Sequence, residues 1–158
     1  MAAAAESLDA PVVDVEVTLV SSDNQPFKVK KSHARISVLL VTMMDGDPDA
    51  TSFPLAVGGD VLRVIVEYMT MHAGVEAPLI AQPLRDKNLA KVCKDPRDAD
   101  FANALWGRSK ELHYEVTKAA NYMDIKGLLF ICCAKIASAV KGEPVDKIPE
   151  ILNPAIPA

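Results

Sequence analysis

The stretch from Ile125 to Val140, IKGLLFICCAKIASAV, reads as a helix without a polar side. A helix on the surface of a globule keeps one polar face and buries one apolar stripe. Here the polar residues Lys126, Lys135 and Ser138, with Lys141 just beyond, scatter around the axis at about 100° per residue. Leu129, Cys133, Ile136 and Val140 make one apolar line at spacings of four, three and four. Ile125, Leu128, Cys132 and Ala139 make a second line at another angle. A helix apolar on two sides has to be covered on two sides. One side packs on its own domain. The other is covered either by the N-terminal sheet or by a partner, and periodicity leaves both open.

The elements around this helix follow from pattern. Val15 to Val20 alternates apolar and polar residues with β-branched enrichment, and Phe27 to Lys30 alternates again. With Ser21-Ser22-Asp23-Asn24 between them as turn residues, the two runs predict a β-hairpin. Ser32 to Arg35 and Ser37 to Met44 predict short helices with Ser32 and Ser37 as N-caps. Phe53 to Val57 predicts a strand, and Pro54 inside it places that strand at a sheet edge. Asp60 to His72 predicts a helix with Val61, Ile65, Tyr68 and His72 on one stripe. Gly74 to Asp98 is rich in proline and mixed charge and predicts a long loop. From Phe101 onward the chain reads as helices only. Ser109 caps one with the stripe Leu112, Val116, Ala119 and Met123, and Asp124 caps the next. Gly142 and Pro144 end it, and Val145 to Leu152 adds a short turn. The order is that of an α+β domain with a small sheet and a helical layer. By segment, residues 1–14 read as a disordered tail, 15–73 as the mixed N-terminal part, 74–98 as a variable loop, 99–140 as the helices that complete the domain, and 141–158 as a short C-terminal segment.

Several function classes drop out. A net charge of −4 does not suit general binding to nucleic acid, which needs a basic face. No window is apolar for the roughly 18 residues a membrane span requires. The N-terminus has no basic start and no long apolar run, so it does not read as a secretory signal. Cys93, Cys132 and Cys133 are an odd count without regular spacing, which predicts free thiols in a reducing compartment, cytoplasm or nucleus or both.

No residue set points to catalysis, a metal or a cofactor. His33, His72 and His113 lie on different elements, and none has a ligand at metal spacing. Cys132 and Cys133 are adjacent on a helix, so they diverge, and both read as small buried hydrophobes. Asp45, Asp47 and Asp49 resemble the start of a calcium loop, but its twelfth position is Ala56. Gly58-Gly59 lacks the Lys-Ser/Thr of a phosphate loop.

One segment is specific: Ala119-Ala120-Asn121-Tyr122-Met123-Asp124-Ile125-Lys126-Gly127-Leu128-Leu129. With Val17-Thr18-Leu19-Val20-Ser21-Ser22-Asp23, Phe27-Lys28-Val29, Pro54-Leu55, Val61 to Val66 and Lys141-Gly142, it resembles the S-phase kinase-associated adaptor family. That family joins a cullin to F-box receptors in SCF-type ubiquitin ligases. The resemblance covers nearly the whole of residues 17–152. It implies a BTB/POZ fold followed by C-terminal helices, and a non-enzymatic adaptor needing no cofactor. It implies a cullin contact at Asn121 and Tyr122. It also implies an F-box contact at Leu129, Cys133, Ile136, Val140, Ile148 and Leu152, whose first four members are the open line already derived. Self-association as a homodimer is a further property of such folds. The sequence departs from the family pattern in several places, among them the following. The family's further acidic helix has no counterpart before Ala158, Pro149 falls within the penultimate helix, and Phe130 stands where an acid is usual.

Overall fold

The computed structural model describes residues 14–158. The tail expected at 1–14 therefore lies outside the described residues except for Asp14, whose carboxylate accepts from Ser32 Oγ at 2.5 Å.

Strands β1 (Glu16–Val20) and β2 (Pro26–Lys30) pair antiparallel, Val17 opposite Val29 and Leu19 opposite Phe27. The alternation works as expected: Val17, Leu19 and Val29 are buried while Glu16 and Lys30 face out. Strand β3 (Ser52–Pro54) adds to the other side of β1 in parallel, so the order is β2-β1-β3. It is an edge strand, as Pro54 requires, since a residue without an N–H cannot donate to a further neighbour. It is shorter than its sequence pattern suggests, although Leu55 N–H still reaches the Val20 carbonyl at 2.8 Å.

Two short helices follow the hairpin, α1 (Lys31–Ala34) and α2 (Val38–Gly46). Ser37 caps α2 by accepting from Leu40 N–H. Ser32 does not cap α1: it lies inside that helix, and its hydroxyl is spent on Asp14. Helix α3 (Gly59–His72) buries Leu62, Ile65, Tyr68, Met69 and His72. Its N-terminus is tied to the hairpin turn, where Asp23 Oδ1 accepts from Gly59 N–H at 2.8 Å and from Ser21 Oγ at 2.6 Å. These hydrogen bonds hold the Asp23 carboxyl below its ordinary range, Ser21 contributing most.

The stretch expected to be a loop up to Asp98 is partly helical. It holds α4 (Leu89–Val92) and the start of α5 (Pro96–Arg108). Asp95 accepts from Arg97 N–H at 2.9 Å and Pro96 begins the helix. Asp-Pro is a start signal in its own right, a capping oxygen followed by a residue that has no N–H to leave unpaired. Helix α6 (Lys110–Tyr122) is capped by Ser109, and α7 (Lys126–Val140) runs back beside it. Asp124 does not cap α7. Its φ is 50°, a left-handed turn residue ahead of Ile125, and its carbonyl accepts from Val38 N–H. Gly142, at φ 76°, ends α7 as expected. A 3-10 turn (Val145–Lys147) leads into α8 (Ile148–Leu152), which tolerates Pro149 because it sits in the first turn.

One core joins the sheet, α2, α3, α5, α6 and α7. The α+β architecture is therefore that of the expected class, a small three-stranded sheet against a helical layer.

Candidate functional site

In the folded chain one of the two lines of α7 faces the core. Ile125, Leu128 and Cys132 of the second line are buried, as is Ile131 beside them, and Ala139 is half-buried. Their cover comes from α6 and α5 rather than mainly from the sheet. The other line stays open: Leu129, Ile136 and Val140 are half-buried and Cys133 is exposed. Ile148 and Leu152 of α8, which packs on α7, are half-buried as well. All six residues expected to meet a receptor are thus incompletely covered in the lone chain. Beside them lies a cleft of about 330 Å³ between α7 and the Ile80–Leu84 loop, with Cys133, Phe130 and Ala137 on its wall.

Asn121 and Tyr122 stand at the junction of α6 and α7. They close α6 and are exposed, Tyr122 at 46%. Tyr122 borders a shallow depression of about 330 Å³ shared with Val57, Gly58 and Val61. The junction beneath them is fixed. Met123 is fully buried, its carbonyl accepts from Ser37 Oγ at 2.5 Å, and Ile125 N–H reaches the Ala120 carbonyl at 2.9 Å. The open line of α7 begins at Leu129, one turn into the helix, and runs away from this junction to Val140.

Two interior features escaped the sequence reading. His113, expected only to be no ligand, is fully buried, and its Nε2 donates to the Cys132 carbonyl at 3.0 Å, joining α6 to α7. The acceptor is a carbonyl, so Nε2 carries the proton and Nδ1, which has no partner among the described residues, is the bare nitrogen. Burial holds the His113 ring below the ordinary histidine range, with Lys135 adding to the effect and the carbonyl opposing it. His72 Nε2 meets Asp98 Oδ1 at 2.5 Å, both side chains buried. Asp95 brings a third donor atom within 4.8 Å of these two. The group has the make-up of a metal cluster, yet its donors are engaged: Arg97 bonds both oxygens of Asp95, and His72 faces Asp98. Its evident work is to pin the end of α3 to the start of α5. Cysteine chemistry is muted too. Burial pushes the Cys132 thiol up to about 12 and raises that of Cys133, so neither is poised as a thiolate. Cys132 is the buried hydrophobe expected of both cysteines, whereas Cys133 is not buried, because it points along the open line.

Comparison with known proteins bears on this geometry. Residues 15–74 match the model of the Skp1 family, tetramerisation domain, which spans the hairpin through α3. The S-phase kinase-associated protein 1 homolog of Tetrahymena thermophila is 33% identical over 139 residues, covering 87% of this chain and 81% of the relative. This chain belongs to the Skp1 family. Other members match over a similar span. SKP1-like protein 18 of Arabidopsis thaliana is 30% identical over 87% of this chain and 83% of its own. SCF ubiquitin ligase complex protein SKP1b of Dictyostelium discoideum is 31% identical over 87% and 82%. The Skp1-family POZ region accounts for the small sheet and α1 to α3. The matches to whole relatives extend through the helical half that carries both exposed surfaces.

Proposed function

We propose that this chain is a non-enzymatic adaptor of an SCF-type ubiquitin ligase, bridging a cullin and an F-box receptor in the cytoplasm and nucleus. The observation that carries the reading is the relation between its two surfaces. Asn121 and Tyr122 project into solvent from the α6–α7 junction, whose backbone is buried and hydrogen-bonded, and the open line of α7 runs away from that junction from Leu129 to Val140. An adaptor needs two independent surfaces on one rigid element, and an interface core favours residues that pack and hydrogen-bond together, as Tyr and Asn do. The receptor face has the complementary character: half-buried Leu129, Ile136 and Val140 offer a few apolar anchors on a helix that is otherwise covered. Relatives whose names place them in SCF complexes match over 87% of this chain.

Reconstitution tests it. Mixed with a cullin N-terminal domain and an F-box protein, the chain should elute with both as a ternary complex, and the cullin and F-box protein should not co-elute without it. Absence of a complex with either partner refutes the proposal.

A further inference from the structure

Helix α8 is too short to hold itself, since one turn fixes several residues for a single hydrogen bond. It also has no fully buried side chain. It packs on α7, but a cavity of about 530 Å³ lies against it, with Trp106, Lys110, Ala139 and Ile151 among its walls, so that packing is incomplete and does not hold it alone. Two side chains of α6 hold it as well. Lys110 Nζ donates to the Ile151 carbonyl at 2.6 Å, and Tyr114 Oη donates to the Leu152 carbonyl at 2.6 Å. These are the last two carbonyls of α8, and helix-end carbonyls have no partner within their own helix. Lys110 and Tyr114 are four residues apart on α6, so their head groups leave the same face one turn from each other.

The position of Lys110 is unusual. A lysine is rarely buried unless paired, yet this one is 5% exposed and no carboxylate lies within ion-pair distance of it among the described residues. Its surroundings are the Ile151 carbonyl and the Trp106 ring, whose centroid is 5.5 Å from Nζ. A cationic donor at the negative end of a helix, over an aromatic face, is a favourable placement that needs no acid. Because the grip is on main-chain carbonyls, it fixes the backbone of α8 and leaves Ile148 and Leu152 partly uncovered.

We propose that Lys110 and Tyr114 are positioning residues of the receptor surface, a two-pronged latch that orders α8 before an F-box arrives. The inference rests on the adaptor reading above. Without the latch, α8 has to be ordered at the moment of binding, and that ordering weakens affinity.

Hydrogen exchange and binding on the full chain test it together. In Lys110→Met with Tyr114→Phe, which keep the side-chain bulk, amides of residues 147–153 should exchange about tenfold faster or more, while those of α7 do not change. Affinity for an F-box protein should fall about tenfold and affinity for a cullin should stay the same. Lys110→Arg, which keeps the charge and donors, should retain both protection and affinity. Unchanged exchange in the double variant overturns the latch. Faster exchange with unchanged F-box affinity overturns its positioning role. If the unaltered chain binds no F-box protein, the adaptor reading fails and the positioning role with it, an outcome separate from the exchange result.

Discussion

Ser37 Oγ donates to the Met123 carbonyl at 2.5 Å, a buried contact between residues 86 positions apart. The same oxygen accepts from Leu40 N–H, so one hydroxyl both caps α2 and fastens the α6–α7 junction. Val38 N–H and Leu39 N–H add bonds to the Asp124 and Met123 carbonyls. Ser37→Ala should therefore cost about 2 kcal/mol, more than a surface cap alone, because it also strips a buried carbonyl of a partner. Urea unfolding should show this as a lower midpoint with an unchanged slope. Cullin affinity should weaken more than F-box affinity, since Asn121 and Tyr122 sit on the loosened junction.

The approach of α7 to α3 is set at Gly127. A Cβ there would lie 2.8 Å from Tyr68 Oη and 3.2 Å from Ala77 Cβ. Gly127→Ala should destabilise the fold by about 1–2 kcal/mol, because overpacking outweighs the gain in helix propensity. Tyr68 Oη is buried and has no hydrogen-bond partner among the described residues, so Tyr68→Phe should be neutral or slightly stabilising. In the Tyr68→Phe background most of the Gly127→Ala cost should disappear. A double-mutant cycle by thermal melting measures that coupling.

His113 makes stability depend on pH. Its folded-state pKa lies below the unfolded value of 6.5, so under acid the unfolded chain binds a proton that the folded chain resists. The contribution is fully present above that value and is lost as pH falls through it towards the folded pKa. Melting temperature should thus decline on acidification from about pH 7 to about pH 5, and His113→Phe should flatten the part of the decline that begins near 6.5. A slope unchanged in His113→Phe would contradict the assignment of a buried, neutral ring.

The thiols offer a probe of the proposed receptor face. Cys133 is exposed, Cys132 is buried, and Cys93 is half-buried with its thiol pushed up to about 11. A thiol reagent at neutral pH should label Cys133 first, more slowly than a free cysteine because partial burial keeps it protonated. An F-box protein should block that labelling and a cullin should not, as read by intact-mass kinetics.

Much of this was legible in the sequence where a local rule had no competitor. The hairpin, α3 and the Ser109 cap were readable because alternation, a single stripe and a serine before a helix each admit one physical solution. The two lines of α7 were legible as lines, but which of them faces the core depends on how α5 and α6 pack, a fact that period alone does not contain. Asp124 was misjudged because an aspartate before a helix fits a cap and a left-handed turn equally, and the Ala120–Ile125 hydrogen bond selects the turn. Asp95-Pro96 was a readable start hidden by the prolines around it. The His72–Asp98 and His113–Cys132 contacts join residues far apart on the chain, and no spacing rule finds them.

The central claim is that Asn121 and Tyr122 are one binding surface and the open line of α7 is another. Measuring the cullin affinity of Asn121→Lys with Tyr122→Lys by titration calorimetry tests it most directly, with F-box affinity and melting temperature read on the same sample. Both residues are exposed, so the substitution should leave the fold and F-box binding intact. Cullin affinity should fall by about a hundredfold or more, because an unpaired charge would be buried at the interface. An unchanged cullin affinity, or an equal loss of cullin and F-box binding, would contradict it.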